Sequence, residues 1–416
     1  MVRRLNTLTI SVLIIFMCSC CKANHGYIDD NYPNPEWNVR IPIGSASAIK
    51  TGGIIPALIY DKIVVFPTTI RSFPNKEDSR LCGINTASHE LQWIFPKDTT
   101  INYGLYFRDA AAYQDKDIVI VKSCLNVFGG GESESVVCFS LKSQEIIWQH
   151  QWPGDSNSYD IENNIYHDGE RCFSVINGHL VFAFNISNGE KELIYDSGDY
   201  EINYGPIIID SSHFGIIETK ISESYEDYSY TIINPNLGTV IFRKQIPYDS
   251  KVRATICNVI VENGVVYYTD ASHTAAIDAF TGDVIWTRVD NGFQCQEGLY
   301  LAQGILLKHD TETYMAYDSK TGKVIYSNST FGFGESTISN NYLYSNDCEG
   351  RIIVLEYKTG VVLDELKFPK DNGEFRFGGK FLHYPIIKDG KIYLMGQNAL
   401  DSKDYRVFCF PTYPWG

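Results

Sequence analysis

The sequence predicts an all-β chain: an eight-bladed β-propeller of four-stranded antiparallel blades, the last blade closed by the N-terminal strand. Three observations predict it. Short runs rich in Val, Ile, Tyr and Phe alternate with Asn-Gly, Asp-Gly and Thr-Gly turns along the chain, which marks hairpin-linked strands. One strand–turn–strand unit, ending in Thr281-Gly282-Asp283-Val284-Ile285-Trp286, returns with a period of about 47 residues between Trp93 and Tyr326, and four strands per such period mean a propeller. Finally, the last repeat lacks one strand, while Trp37 to Pro42 stands alone at the start.

The N-terminus departs from this pattern. Arg3 and Arg4 precede the apolar run Leu8 to Met17, which is too short to span a bilayer comfortably. Residues 1–19 read as a secretory signal. Its ending, Met17-Cys18-Ser19-Cys20, resembles a bacterial lipobox. Cys20 is the expected lipidation site because the small Ser19 precedes it, with Cys21 the runner-up. An ordinary signal peptide or an uncleaved anchor is the plain alternative. Residues 20–36 are polar, contain Pro33 and Pro35, and read as a tether; residues 37–416 form the propeller domain. The formal net charge of −15 over 416 residues repels phosphate backbones and argues against nucleic acid as a partner.

The blades follow in order. Blade one turns at Asp61-Lys62 and ends at Trp93; blade two turns at Asp115-Lys116-Asp117 and ends at Trp148. Blade three has the clearest turns, Asp168-Gly169, Asn177-Gly178 and Asn188-Gly189, since Asn-Gly suits positive φ. Blade four begins at Gly205-Pro206 and runs past Leu237-Gly238 to Phe242. Blade five holds the opening unit, blade six its relative ending in Tyr326, and blade seven Lys358-Thr359-Gly360. Blade eight has only Tyr384 to Lys388, Lys391 to Gly396 and Tyr405 to Phe410. Pairing it with Trp37 to Pro42 closes the ring and removes a free edge.

Repeat positions explain individual residues. The position of Ala276 is filled by Gly83, Cys138, Ala183, Ile232, Ala316, Val354 and Cys409. Mostly small residues imply close packing of adjacent sheets, and make Cys138 and Cys409 core filler, since a buried Cys acts as a small hydrophobe. The position of Asp278 is filled by Asn85, Ser140, Asn185, Asn234 and Asp318, whose side chains can bond the backbone two residues on and fasten a turn. No C-x-x-C occurs, so zinc-ribbon, thioredoxin-like and c-haem chemistry have no support.

Ala276-Ile277-Asp278-Ala279-Phe280-Thr281-Gly282-Asp283-Val284-Ile285-Trp286 and Ala316-Tyr317-Asp318-Ser319-Lys320-Thr321-Gly322-Lys323-Val324-Ile325-Tyr326 resemble the PQQ-like (quinoprotein-type) propeller repeat. The resemblance covers about Trp37 to Phe410 and implies a girdle in which the Trp and Ala of neighbouring blades pack. It fixes fold better than function, because many such propellers bind no quinone. By architecture and lipidation the chain also resembles the propeller lipoprotein of the outer-membrane β-barrel assembly machinery, which implies a protein partner held by the loops of one face.

Catalytic motifs are wanting. No H-E-x-x-H or G-x-S-x-G is present, and no helix follows Gly129-Gly130-Gly131 to make a phosphate cradle. A PQQ-dependent dehydrogenase, with PQQ and calcium as cofactors, is the enzyme alternative. Its usual vicinal Cys pair is matched only by Cys20-Cys21, in the export region. No cofactor or metal is expected under the main reading. His89, His167 and His273 stand in or beside turns and read as solvated. Loop lengths say more. The strand 1–2 and 3–4 turns are short, whereas Thr69 to Ser79, Leu125 to Glu134, Lys220 to Asp227, Lys367 to His383 and Asn398 to Asp404 read as long loops on the other face. That face carries Arg71, Phe73, Phe128, Tyr225, Phe331, Phe333, Arg376 and Phe377, residue types that anchor interfaces; ordinary loop drift is the bland alternative. The expectation is a non-catalytic, monomeric propeller lipoprotein working within a complex. It would sit at the periplasmic face of the outer membrane and scaffold an envelope or outer-membrane protein. A glycan or small-ligand binder is the second reading, the quinoprotein the third.

Overall fold

The structure, a computed structural model, describes residues 35–41, 48–49, 58–60, 62–72, 76–95, 105–113, 117–126, 132–153, 165–220, 227–247, 256, 258–270, 273–289, 298–309, 313–328, 333–347, 351–366, 375–377, 385–398 and 404–415. The signal, Cys20 and nearly all of the expected tether lie outside the described residues. Eight antiparallel sheets follow one another along the chain. Blade five shows the plan: Asn258–Glu262, Val265–Thr269, His273–Asp278 and Val284–Val289 pair in sequence order from the channel outward. In blades one and eight the innermost strand is split, into Ala48–Ile49 with Leu58–Tyr60 and into Phe375–Phe377 with Ile386–Lys388. Trp37–Ile41 pairs antiparallel with Tyr405–Pro411, from Trp37 opposite Cys409 to Ile41 opposite Tyr405, so the first strand closes the last blade.

The turns form for local reasons. Asp278 Oδ1 accepts the N–H groups of Phe280 and Thr281 at 2.9 and 2.8 Å, and Gly282 N–H returns to Asp278 O at 2.8 Å. Asn185, Asn234 and Asn85 do the same in their blades. The residue closing each turn needs a left-handed backbone. Gly282 has it at φ 65°, and where glycine is missing His89 and Gln144 adopt it at 57° and 60°.

The turn also carries the junction between blades. A Cβ on Gly189 or Gly322 would meet the indole of Trp148 or Trp286, on the preceding blade, at 2.5 Å. Only glycine lets that ring lie flat on the turn. Trp148 Nε1 then donates to Ile186 O at 3.0 Å, Trp286 Nε1 to Ser319 O at 2.8 Å and Tyr326 hydroxyl to Tyr357 O at 2.7 Å, each acceptor three residues before the turn glycine. Phe242 has no donor at this place, and Tyr230 hydroxyl supplies the bond to Ala279 O at 3.0 Å. Two residues beyond each ring a second side chain reaches the turn glycine's carbonyl: His150 to Gly189, Arg288 to Gly322, Asn328 to Gly360, at 2.7, 2.7 and 3.1 Å. The girdle implied by the repeat is thus a set of paired bonds across the junctions.

Cys82, Cys138, Cys172 and Cys409 are buried and pair in no disulfide among the described residues; Cys138 and Cys409 stand opposite Trp148 and Trp37 as small filler. Burial pushes the Cys138 and Cys409 thiols up to about 12. Several expectations are corrected. Opposite Trp93 stands Cys82, not Gly83, because the bulge in that blade falls between Leu81 and Cys82. Blade four begins at Tyr200, and Gly205-Pro206 sits inside the strand Tyr200–Asp210 where the register shifts between Tyr204 and Ile207; a proline is tolerated there because a bulge asks for no ladder bond. His89 is not merely solvated: its ring stacks on Trp37 at 4.8 Å across the closure seam.

Candidate functional site

The strand ends divide the ring into two faces. One holds the short 1–2 and 3–4 turns; the other holds the 2–3 connections and the links between blades. The loops expected on the second face are in part strands. Ile63–Ser72 pairs with Lys76–Asn85 through Ser72 opposite Lys76, and Ile118–Asn126 with Glu132–Ser140 through Asn126 opposite Glu132. These hairpins extend because Thr69, Ile70 and Arg71 can continue the ladder, and a strand that stops alternating polar with apolar as it leaves the core looks like loop sequence. Arg71 lies opposite Glu77, Phe333 opposite Asp347, and Arg376 and Phe377 opposite Gln397 and Gly396. These four are on strands, not loops, and all at strand ends of the second face. Phe73, Phe128, Tyr225 and Phe331 lie outside the described residues.

Beneath this face runs a belt of buried polar side chains that the sequence reading missed. Between blades two and three, Lys122, 2% exposed, donates to Val175 O at 2.7 Å and lies 3.7 Å from Glu134, whose other oxygen accepts Asn177 N–H at 2.9 Å. Between blades three and four, Glu218, 0% exposed, accepts Arg243 Nε at 2.6 Å, Thr231 hydroxyl at 2.5 Å and Tyr195 hydroxyl at 3.1 Å. Arg243 Nη2 closes the circuit on Tyr195 at 2.8 Å and its guanidinium stacks 3.9 Å above the Tyr200 ring. Burial, with the Glu218 carboxylate second, pushes the Tyr195 phenol up. Burial works against charge on Arg243, but the Glu218 carboxylate and the Tyr195 oxygen together outweigh it and raise that guanidinium further. Between blades six and seven the hydroxyls of Tyr314, Ser336 and Ser345 bond one another. At blade eight, Asp404 takes Arg40 at 3.3 Å and Arg406 at 3.0 Å.

Buried charges cost folding energy unless paired, and apart from Arg406, two residues on from Asp404, each partner here comes from another strand or a neighbouring blade. These bonds fix how blades stagger beneath the face. The only sequence signals were single charges inside apolar runs, such as Lys122 after Ile118-Val119-Ile120-Val121 and Glu218 after Ile216-Ile217.

Among the described residues no group of three or more His, Cys, Asp or Glu is placed to hold a metal ion. The buried carboxylates Glu134 and Glu218 are occupied by Lys122, Asn177, Arg243 and Thr231. What the arrangement offers is a braced platform, with aromatic and Arg residues at its rim.

Comparison with known proteins agrees with this architecture. Residues 231–410 match the profile of the family described as outer membrane protein assembly factor BamB. Over 385 residues the chain is 20% identical to the outer membrane protein assembly factor BamB of Shewanella oneidensis, covering 88% of each. The crystal structure of BamB from Moraxella catarrhalis superposes with a TM-score of 0.58 at 11% identity, over 91% of this chain and all of that one. A europium-containing methanol dehydrogenase superposes with a TM-score of 0.57 at 10% identity, over 91% of this chain and 93% of that one. The chain is therefore similar to PQQ-type propellers, BamB among them, and shares their fold.

Proposed function

We propose that this chain is a non-catalytic, lipid-anchored propeller of the bacterial cell envelope. In this reading it scaffolds outer-membrane protein assembly at the periplasmic face of the outer membrane and holds an envelope protein against its 2–3 face. The observation that carries the reading is likeness along nearly the whole length of both chains to a protein named as an outer membrane protein assembly factor. The buried carboxylates Glu134 and Glu218 support it too, since each bonds a neighbouring blade, at Asn177 and at Tyr195.

The partner-binding residues in this reading are Arg71, Phe73, Phe128, Tyr225, Phe331, Phe333, Arg376 and Phe377, with Cys20 as the lipid site. Affinity purification of the lipidated chain from its own membrane, read by mass spectrometry, is expected to recover outer-membrane assembly proteins. Phe73→Asp and Phe377→Asp are expected to release them with the melting temperature unchanged. Recovery undiminished in both variants would remove the 2–3 face as the docking surface.

A further inference from the structure

The chain enters the ring on the short-turn face. Glu36 N–H donates to Cys409 O at 2.8 Å, and its carboxylate pairs with Lys391, which directly follows the turn Asp389-Gly390. On the same face the turns of blades six and seven present Lys320, Lys323 and Lys358, all exposed. The carboxylates beside them are half-buried and hydrogen-bonded within their own turns. Asp318 Oδ1 accepts the N–H and hydroxyl of Thr321 at 2.9 and 2.7 Å, and Glu356 accepts the Thr359 hydroxyl at 2.7 Å. The exposed charges of these two turns are ammonium groups, on a chain of net charge −15.

Length points the same way. Fifteen residues, 21–35, separate Cys20 from Glu36, and a flexible chain of that length would span about 21 Å root-mean-square. One eight-residue strand such as His213–Lys220 already rises about 26 Å. A lipid at Cys20 therefore keeps the short-turn face nearer the bilayer than the 2–3 face.

We propose that the lysine sector of blades six and seven docks on an anionic phospholipid surface. The propeller then lies with its short turns toward the bilayer and its 2–3 face open to the compartment. This rests on the anchored reading above. Juxtamembrane lysines favour an anionic surface by about fivefold each, falling off within a Debye length, so three give about a hundredfold.

The test uses the full chain with vesicles of phosphatidylethanolamine and phosphatidylglycerol, and with vesicles of phosphatidylcholine alone. Flotation is followed by amine-reactive labelling read by mass spectrometry. On the anionic vesicles Lys320, Lys323 and Lys358 are expected to be protected several-fold, reversibly by salt, while the exposed Lys220, at the 2–3 face end of His213–Lys220, labels equally on both. In the triple variant Lys320→Glu, Lys323→Glu, Lys358→Glu, Lys388 is expected to label alike on both vesicle types. Equal labelling of the three lysines on both types overturns the proposal, even if the chain floats. If the chain carries no acyl group and does not float with phosphatidylcholine, the anchored reading fails separately. The lysine sector is then judged by whether anionic vesicles bind the chain about a hundredfold better than the triple variant, equal binding overturning it.

Discussion

Replacing Gly322 with Ala tests whether the turn glycine is required by its neighbour or only by its backbone. Gly322 sits at φ 64°, and an added Cβ would meet Trp286 Cε3 at 2.5 Å, Cδ2 at 2.6 Å and Cγ at 3.1 Å. Gly390 shares the conformation at φ 72°, but its Cβ would meet nothing within 4 Å. A left-handed Ala costs about 1–2 kcal/mol, which is the whole expected loss for Gly390→Ala. At Gly322 the indole must also move. It then loses the bond to Ser319 O at 2.8 Å, about 1 kcal/mol, and part of the burial that leaves Trp286 8% exposed, about 1–2 kcal/mol more. Gly322→Ala should therefore cost about 3–5 kcal/mol. Equilibrium urea unfolding of both variants measures the difference. In a Trp286→Ala background the extra cost should vanish, leaving only the backbone share. Equal losses in the two single variants, or an extra cost that persists without the indole, would refute the reasoning.

Other outcomes follow from the same contacts. Trp415 Nε1 donates to Asp364 at 2.8 Å, tying the C-terminal end of blade eight to blade seven where its outer strand lacks a girdle ring; Trp415→Phe should lower stability by about 1 kcal/mol, read by thermal melting, and an unchanged melt would deny the tie. Glu218→Leu leaves Arg243 and Tyr195 without their acceptor and should cost about 3 kcal/mol, less any screening of the part-exposed Arg243; chemical unfolding checks it. The Cys138 and Cys409 thiols and the Tyr393 phenol are pushed up to about 12 by burial, from ordinary values near 9 and 10. The folded state keeps protons that the unfolded chain loses, so stability is full below about pH 9 and falls as pH rises toward 12. Denaturation midpoints measured across that window test the sign. Adding PQQ and Ca²⁺ should produce neither cofactor absorbance on the protein nor alcohol oxidation; either would favour the quinoprotein reading.

Much of this protein was legible from its repeats. Strand alternation, the Asp278-type turn fasteners and the unpaired Trp37 segment gave eight blades and their closure, because each rests on residues within one hairpin or on a count of strands. The site was less legible. Arg71 and Arg376 read as loop residues because a ladder leaving the core no longer alternates polar with apolar, and half of the proposed anchors fall outside the described residues.

What the sequence determined by itself was the blade: its period, its turns and the small residue opposite the girdle ring. Tertiary structure alone decided which residues meet between blades. His89 stacking on Trp37, Trp415 bonding Asp364, Glu218 holding Arg243 and Tyr195, and Arg406 sharing Asp404 with Arg40 join residues from different strands, in some cases from opposite ends of the chain. Such a contact exists only once separate strands have packed together. No local pattern announces it, because its energy comes from burying two groups together and neither group alone carries the mark of its partner.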